Sequence, residues 1–298
     1  MDADYNLYQY DPNLAVAGVA LAAFLILGGA IAYQARKYKT KYMYAVVVGA
    51  AFEVLGFGLR LWSGQPNNTK NIPAYANSSL FLLLPPIVIA LGSYLTVAKI
   101  IIYSNYQTKF IRPRIIEKAF LYMDIFCFLV QGGGGGMLAV PSIADIGTKI
   151  TTAGLVLALI SFSTFATVTA YVQYGKDKFT FSAGNSTSRW RILFVVVWIN
   201  IVALIIRSIY RLVEFAQGMH GYLLTHEVYF YVFDSLMMVI ALAAFVIVPP
   251  GRYIRPDLID FNAGLRPDAL GGGSRTMVNI DSNDSLEMED WRKTNNRA

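Results

Sequence analysis

Apolar residues gather along this chain into seven windows at 14–33, 43–62, 80–103, 118–138, 149–173, 192–213 and 227–249. Each is close to the ~20 residues needed to cross the hydrocarbon core of a bilayer. The pattern predicts an all-α, polytopic membrane protein with seven transmembrane helices. Two windows are interrupted in instructive ways. Pro85 and Pro86 stand in the third and should kink it, because proline removes a donor and clashes with the preceding turn. The fourth contains QGGGGG at 131–136, where five glycines each cost about 1 kcal/mol relative to alanine in a helix interior. Such a run either lets two helices approach closely in lipid or lets the backbone unwind where it lines a cavity.

Composition supports the membrane reading: 55% of the 298 residues are hydrophobic and only 15% are charged, against roughly 25% charged in an ordinary soluble domain. The acidic start MDADYNLYQYDPN lacks the positive region of a cleavable signal, so the first window reads as a retained span. Lys and Arg collect in alternate loops. Arg36, Lys37, Lys39 and Lys41 follow window one; Lys109, Arg112, Arg114 and Lys118 follow window three; Lys176, Lys178, Arg189 and Arg191 follow window five. The other three loops hold Lys70, Lys149 and none. By the positive-inside rule this predicts an N-terminus outside and a cytoplasmic C-terminus. It also accounts for the net charge of +6 without any nucleic-acid partner. Residues 1–13 then form an extracellular N-terminus, 14–250 a seven-helix transmembrane domain, and 251–298 a mostly disordered cytoplasmic tail with seven basic and eight acidic residues. The sequons at Asn67 and Asn77 fall outside, where glycosylation is open to them.

Charged and polar residues inside the windows repeat at seven. Glu53 and Arg60 do so in window two, Asp124 and Gln131 in window four, Arg207 and Glu214 in window six, and Glu227 and Asp234 in window seven; Arg211 fills the intermediate turn of window six. Residues seven apart on an α-helix lie ~10.5 Å apart on nearly one face. A charge at mid-bilayer costs at least ~2.5–3.5 kcal/mol, so it normally faces a bundle interior, a partner or water. Each of these helices is therefore expected to carry one inward polar stripe. The predicted orientation places Arg60, Arg211, Glu214 and Glu227 near the outer interface, Glu53, Gln131, Arg207 and Asp234 deeper, and Asp124 toward the cytoplasmic side. Two tiers of ion pairs follow: Arg207 with Asp234 or Glu53, and Arg211 or Arg60 with Glu227 or Glu214. Tyr210 and Tyr231 lie beside the stripes as candidates to line a path for an amphiphile. The competing readings are that Arg60, Glu214 and Glu227 snorkel to headgroups, and that the deeper pairs only fix helix packing.

Signals for chemistry are sparse. The two histidines, His220 and His226, sit in or beside an outer loop, and the single cysteine, Cys127, allows no intrachain disulfide. No P-loop, HExxH, GxSxG or Rossmann glycine pattern occurs, so no catalytic residue, metal or cofactor is expected.

Several stretches, taken in order, resemble the fungal lipid-translocating exporter family, the group named for resistance to aminocholesterol. They are EVLGFGLR (53–60), PPIVIALGSY (85–94), DIFCFLVQGGGG (124–135), RSIYRLVE (207–214) followed by Gly218 and Gly221, and EVYFYVFDSLMM (227–238). The resemblance runs over about 5–251. Phe57, where the family usually has tyrosine, and Pro249-Pro250-Gly251, where it usually has His-Pro-Gly, depart from the pattern. The resemblance implies a plasma-membrane protein that exports or flops amphipathic lipids, such as sphingoid long-chain bases and sterol-like toxins, and contributes to lipid asymmetry and xenobiotic resistance. Its partners are then membrane lipids and an amphipathic small molecule. The alternative is a seven-helix receptor or sensor that regulates lipid homeostasis without transporting.

Overall fold

A computed structural model describes residues 13–65, 78, 81–103, 113–137, 141–175, 191–217 and 222–254 of the chain. These residues all belong to one compact unit, 1–260. Seven long helical stretches account for almost all of them, and no strand occurs among the described residues. They are α1 (Leu14–Lys37), α2 (Tyr44–Ser63), α3 (Pro85–Tyr103), α4 (Pro113–Met137), α5 (Ala144–Tyr174), α6 (Ile192–Ala216) and a last span, α7 (Glu227–Tyr253), built from several segments. Six of them are long and apolar enough to cross a membrane, the span of α3 being counted from Phe81. In α4, Asp124, Gln131 and the glycine run dilute an otherwise apolar helix of 25 residues. The chain is thus an all-helical, polytopic integral membrane protein. Large apolar side chains such as Val19, Ile26, Leu129 and Ile247 point outward from the bundle, as lipid-facing positions do.

Sequence neighbours pack side by side, and α7 returns to α1, so the helices close into a ring. α3 also reaches across to α6 and α7, and it is the most enclosed span, with 67% of its apolar window buried. Local signals fix the ends. The Asn13 side chain caps α1 by accepting from the backbone N–H groups of Ala15 and Val16. Lys39, at φ 53°, turns the chain between α1 and α2. Near its C-terminal end α1 is tied to α7 by the Gln34 amide, which donates to the Val246 carbonyl at 2.8 Å.

Three helices depart from regular packing or geometry. The third span breaks at Leu84, between a short turn at residues 81–83 and α3 proper, where the two prolines stand. The glycine run does not unwind: α4 continues through it to Met137. Close approach is the reason for glycine there, because a Cβ on Gly134 would lie 2.4 Å from Thr151 Oγ and 2.6 Å from the Thr151 backbone nitrogen of α5. The third departure is a π-helical turn in α7 at Tyr231–Ser235. The helical unit also extends past the boundary read from the sequence: Pro250–Tyr253 form a final turn and Ile254 is buried against the core. The sequons at Asn67 and Asn77, the N-terminal residues 1–12, the stretch 255–298 and His220 lie outside the described residues.

The glycine geometry makes a direct prediction. Gly134→Ala should push α4 and α5 apart and destabilise the protein by about 1–3 kcal/mol, the usual cost of overpacking. Gly135→Ala, whose Cβ would meet nothing within 4 Å, should be neutral or stabilising by up to about 1 kcal/mol. Thermal melting of the two purified variants in detergent distinguishes these outcomes.

Candidate functional site

The charged residues of α2, α6 and α7 turn inward and meet. Asp234 is the centre: its Oδ1 lies 2.9 Å from Arg207 Nε and 2.8 Å from Arg211 Nε. The two arginines are one helical turn apart on α6, so one carboxylate reaches both. Arg211 also reaches along α6, placing Nη1 3.1 Å from Glu214 Oε2. Glu214 also accepts from the Tyr210 hydroxyl at 3.2 Å. A second group joins α2 to α7, where Arg60 Nη2 lies 3.0 Å from Glu227 Oε1. The Tyr231 hydroxyl donates to the same Glu227 oxygen at 3.1 Å, and the Asn13 backbone N–H donates to its other oxygen at 2.8 Å. The Arg60 guanidinium stands 4.4 Å from the centre of the Phe230 ring, a cation–π distance. Arg60 and Glu214 are each only 6% exposed, so both are held within the protein rather than extended to its surface.

Two backbone irregularities build this arrangement. In a continuous helix the N–H of residue 86 would donate to the carbonyl of residue 82. Pro86 has no N–H, and the Leu82 carbonyl instead accepts from Arg207 Nη2 at 2.7 Å. Leu82 is seated closely against α2: a Cβ on Gly56 would come within 2.7 Å of its side chain, and Ser78 Oγ donates to the Gly56 carbonyl at 3.2 Å. The second irregularity is the π-turn of α7, which bears Asp234. A π-turn inserts an extra residue and changes the helix register. Glu227 consequently faces α2 while Asp234, seven residues on, faces α6. The common face implied by the seven-residue spacing does not hold in this helix.

α4 behaves differently. Asp124 is 2% exposed, yet it forms no ion pair among the described residues. One carboxylate oxygen accepts from the Tyr94 hydroxyl of α3 at 2.6 Å and the other from Ser161 Oγ of α5 at 3.0 Å. Gln131 joins α4 to α5 through its amide, which donates to the Gly154 carbonyl at 3.0 Å. Glu53, also buried, likewise forms no hydrogen bond or ion pair among the described residues, and lies within the electrostatic field of Arg207, Asp234 and Arg211. Of the five carboxylates on the inward stripes, Asp234, Glu214 and Glu227 are therefore matched to the three arginines, and Glu53 and Asp124 are not.

Beside the Arg207–Asp234–Arg211 group lies a cavity of about 30 Å³, room for one or two waters. Asp124, Gln131, Arg207, Ser208 and Arg211 supply its polar wall, and Cys127 and apolar side chains of α3, α4 and α5 supply the remainder. The roles of Tyr94 and Ser161 are not readable from the sequence, because a lone hydroxyl on an apolar helix carries no distinctive spacing. Asn200 does carry one: it stands seven residues before Arg207, is fully buried, and its amide donates to the Val196 carbonyl at 2.9 Å. His226 stacks against Tyr222 with ring centres 4.1 Å apart. Among the described residues no cluster of three His, Cys, Asp or Glu side chains is suited to a metal.

The shared carboxylate ranks the α6–α7 substitutions. Asp234→Asn strands the buried Arg207 guanidinium and leaves Arg211 with Glu214 alone, and should destabilise by about 3–5 kcal/mol. Arg207→Gln leaves Asp234 paired with Arg211 and should cost less. Replacing both Arg207 and Asp234 by Met keeps the Arg211–Glu214 pair and should recover part of the Asp234→Asn loss. Denaturation midpoints of the variants in detergent provide the comparison.

Comparison with known proteins places this arrangement. A family model described as RTA1 like protein matches residues 46–257, which include every charged residue of the two ion-pair groups. The chain is 28% identical over 200 residues to Protein RTM1 of Saccharomyces cerevisiae, covering 67% of this chain and 64% of that one. It is 27% identical over 281 residues to the Saccharomyces cerevisiae Protoporphyrin uptake protein 1, covering 82% and 92% of the two chains. A third relative, the Sphingoid long-chain base transporter RSB1 of the same yeast, is 28% identical over 247 residues, covering 70% of this chain and 63% of its own. The chain thus spans somewhat under two thirds of the length of two of these relatives. No solved structure matches. With the family model covering most of its length, the chain belongs to the RTA1-like protein family.

Proposed function

We propose that this chain crosses the membrane seven times, with its N-terminus outside, and moves amphipathic lipids or lipid-like toxic compounds between leaflets or out of the cell. The plasma membrane is the proposed location. The observation that carries this reading is the buried column of charged groups with a polar cavity beside it, in a protein whose outer surface is apolar. Sealed ion pairs are a costly way to hold helices together, since hydrophobic residues of similar volume often serve as well or better. A polar column is what the head of an amphiphile needs in order to cross hydrocarbon while its tail remains in lipid. The two unmatched carboxylates, Glu53 and Asp124, favour a substrate with a positively charged head. One relative is named a transporter of sphingoid long-chain bases and another a protoporphyrin uptake protein; neither name is that of an enzyme, and we assign no catalytic step to this chain. The narrow cavity and the closed ion pairs correspond to a resting state that must open for passage, through rearrangement of a bistable element.

Reconstitution is the test. The purified full chain in liposomes should carry a fluorescent long-chain amine from the inner to the outer leaflet, so that an external quencher reaches the whole pool. If the amphiphile binds the protein but the inner pool stays protected, the transport reading fails, and a sensor of membrane lipids takes its place.

A further inference from the structure

We propose that Asp124, with Tyr94 and Ser161, forms the subsite that holds a monovalent cationic head, a primary ammonium group, inside the cavity; the assignment rests on the reading of the chain as an amphiphile carrier. Arg207 and Arg211 also face the cavity, but their guanidinium groups are held by Asp234 and Glu214. Glu53 is unmatched, yet it lies in the field of those same arginines and does not line the cavity. Asp124 does line it as the one carboxylate of that lining, and it forms no ion pair among the described residues.

Its hydrogen bonds leave it suited to this task. A carboxylate has about four lone-pair positions. The Tyr94 and Ser161 hydroxyls, at 2.6 and 3.0 Å, take one on each oxygen and fix the plane of the group. Both donors are neutral, so the negative charge is oriented without being cancelled. The edge-on contact of Tyr94 with Phe165, ring centres 4.4 Å apart at 72°, holds the tyrosine in turn. An ammonium group is about as large as a water molecule and fits a cavity of about 30 Å³. A choline-type head does not, nor does a phosphate. The apolar side of the cavity, with Leu83, Ile87, Phe128, Leu155 and Phe162, suits the first carbons of a tail. Asp124 is therefore read as a residue that selects substrate charge, distinct from the ion pairs that close the column.

Cys127 is a built-in reporter. It is the chain's single cysteine, it lines the same cavity, and at three residues from Asp124 it shares that face of α4. In the purified full chain, a small cationic thiol reagent (methanethiosulfonate ethylammonium) should modify Cys127 about ten-fold faster than the anionic ethylsulfonate reagent, relative to their rates with a free thiol. In Asp124→Asn that ratio should fall to about one. Equal rates in the native chain, an unchanged ratio in the variant, or a Cys127 that no reagent reaches would each overturn the assignment. Should Asp124→Asn fail to fold, the native chain decides: octadecylamine should slow modification by neutral methyl methanethiosulfonate and N-acetyl-octadecylamine should not. Equal protection by the two counts against Asp124. Because this chemistry requires no transport, its outcome separates from that of the liposome experiment. Charge-selective labelling without lipid movement removes the carrier reading and leaves a cation site, whereas movement without charge selectivity removes only the role of Asp124.

Discussion

One carboxylate shared by two arginines organises the centre of this protein. Asp234 joins α7 to two successive turns of α6, and in hydrocarbon such a group has no tolerable substitute partner. Lipid tails offer no charge, so a buried ion left without a counter-ion carries a cost that its neighbours must offset. The neighbouring irregularities make sense as ways of meeting that demand. The π-turn presents Asp234 to α6. The Pro86 break leaves the Leu82 carbonyl without its helical donor, and Arg207 donates to it through Nη2. Each local defect in a helix is compensated by a group belonging to another helix. Defects and charges of this kind are stable only together.

Away from this centre the helices use the opposite strategy. α4 and α5 are held by contact rather than charge: Gly134 lets the Thr151 backbone approach, and Gln131 and Thr151 exchange hydrogen bonds with the facing chain. In lipid there is no hydrophobic drive between helices, so small residues and short-range polar contacts supply the association. The cavity lies where the two regimes adjoin, between arginines fixed by ion pairs on one side and an Asp124 fixed by hydroxyls on the other. Tight packing of α4 on α5 sets how far Asp124 and Ser161 stand apart, and hence how the carboxylate is oriented.

Much of this is legible in the sequence, and the reason is the cost of charge in a membrane. Apolar windows locate the helices to within a few residues because hydrocarbon thickness fixes their length. The seven-residue spacing puts Arg207 and Glu214 on one face of α6, and that helix is regular enough for the geometry to hold. Other parts are hidden for physical reasons. The sequence YVFDS carries no signature of a π-turn, so the common face inferred for Glu227 and Asp234 rests on an ideal helix that α7 does not form. The Leu82 carbonyl is backbone, and its availability follows from Pro86 only once the facing arginine is known. Tyr94 and Ser161 matter through what they meet on a third helix, information no single segment contains. The glycine run leaves two readings open, close packing or unwinding, and the Thr151 contact decides for close packing.

The bookkeeping of charge separates structural roles from functional ones. Had the bundle needed charges only as clamps, three arginines would call for three carboxylates, and evolution could have discarded the others at a gain in stability. The inward stripes hold five. The surplus is not spread evenly: Glu53 lies in the field of the arginines, while Asp124 stands among neutral donors. A fold that keeps a carboxylate without a counter-ion in its interior accepts an electrostatic cost, which a bound cation or a proton relieves. A cation bound at Asp124, as proposed, would also face Arg207 and Arg211, which line the same cavity. On the proposed reading, its repulsion would bear on the two guanidinium groups that hold Asp234, which would couple occupancy of the cavity to opening of that ion-pair group.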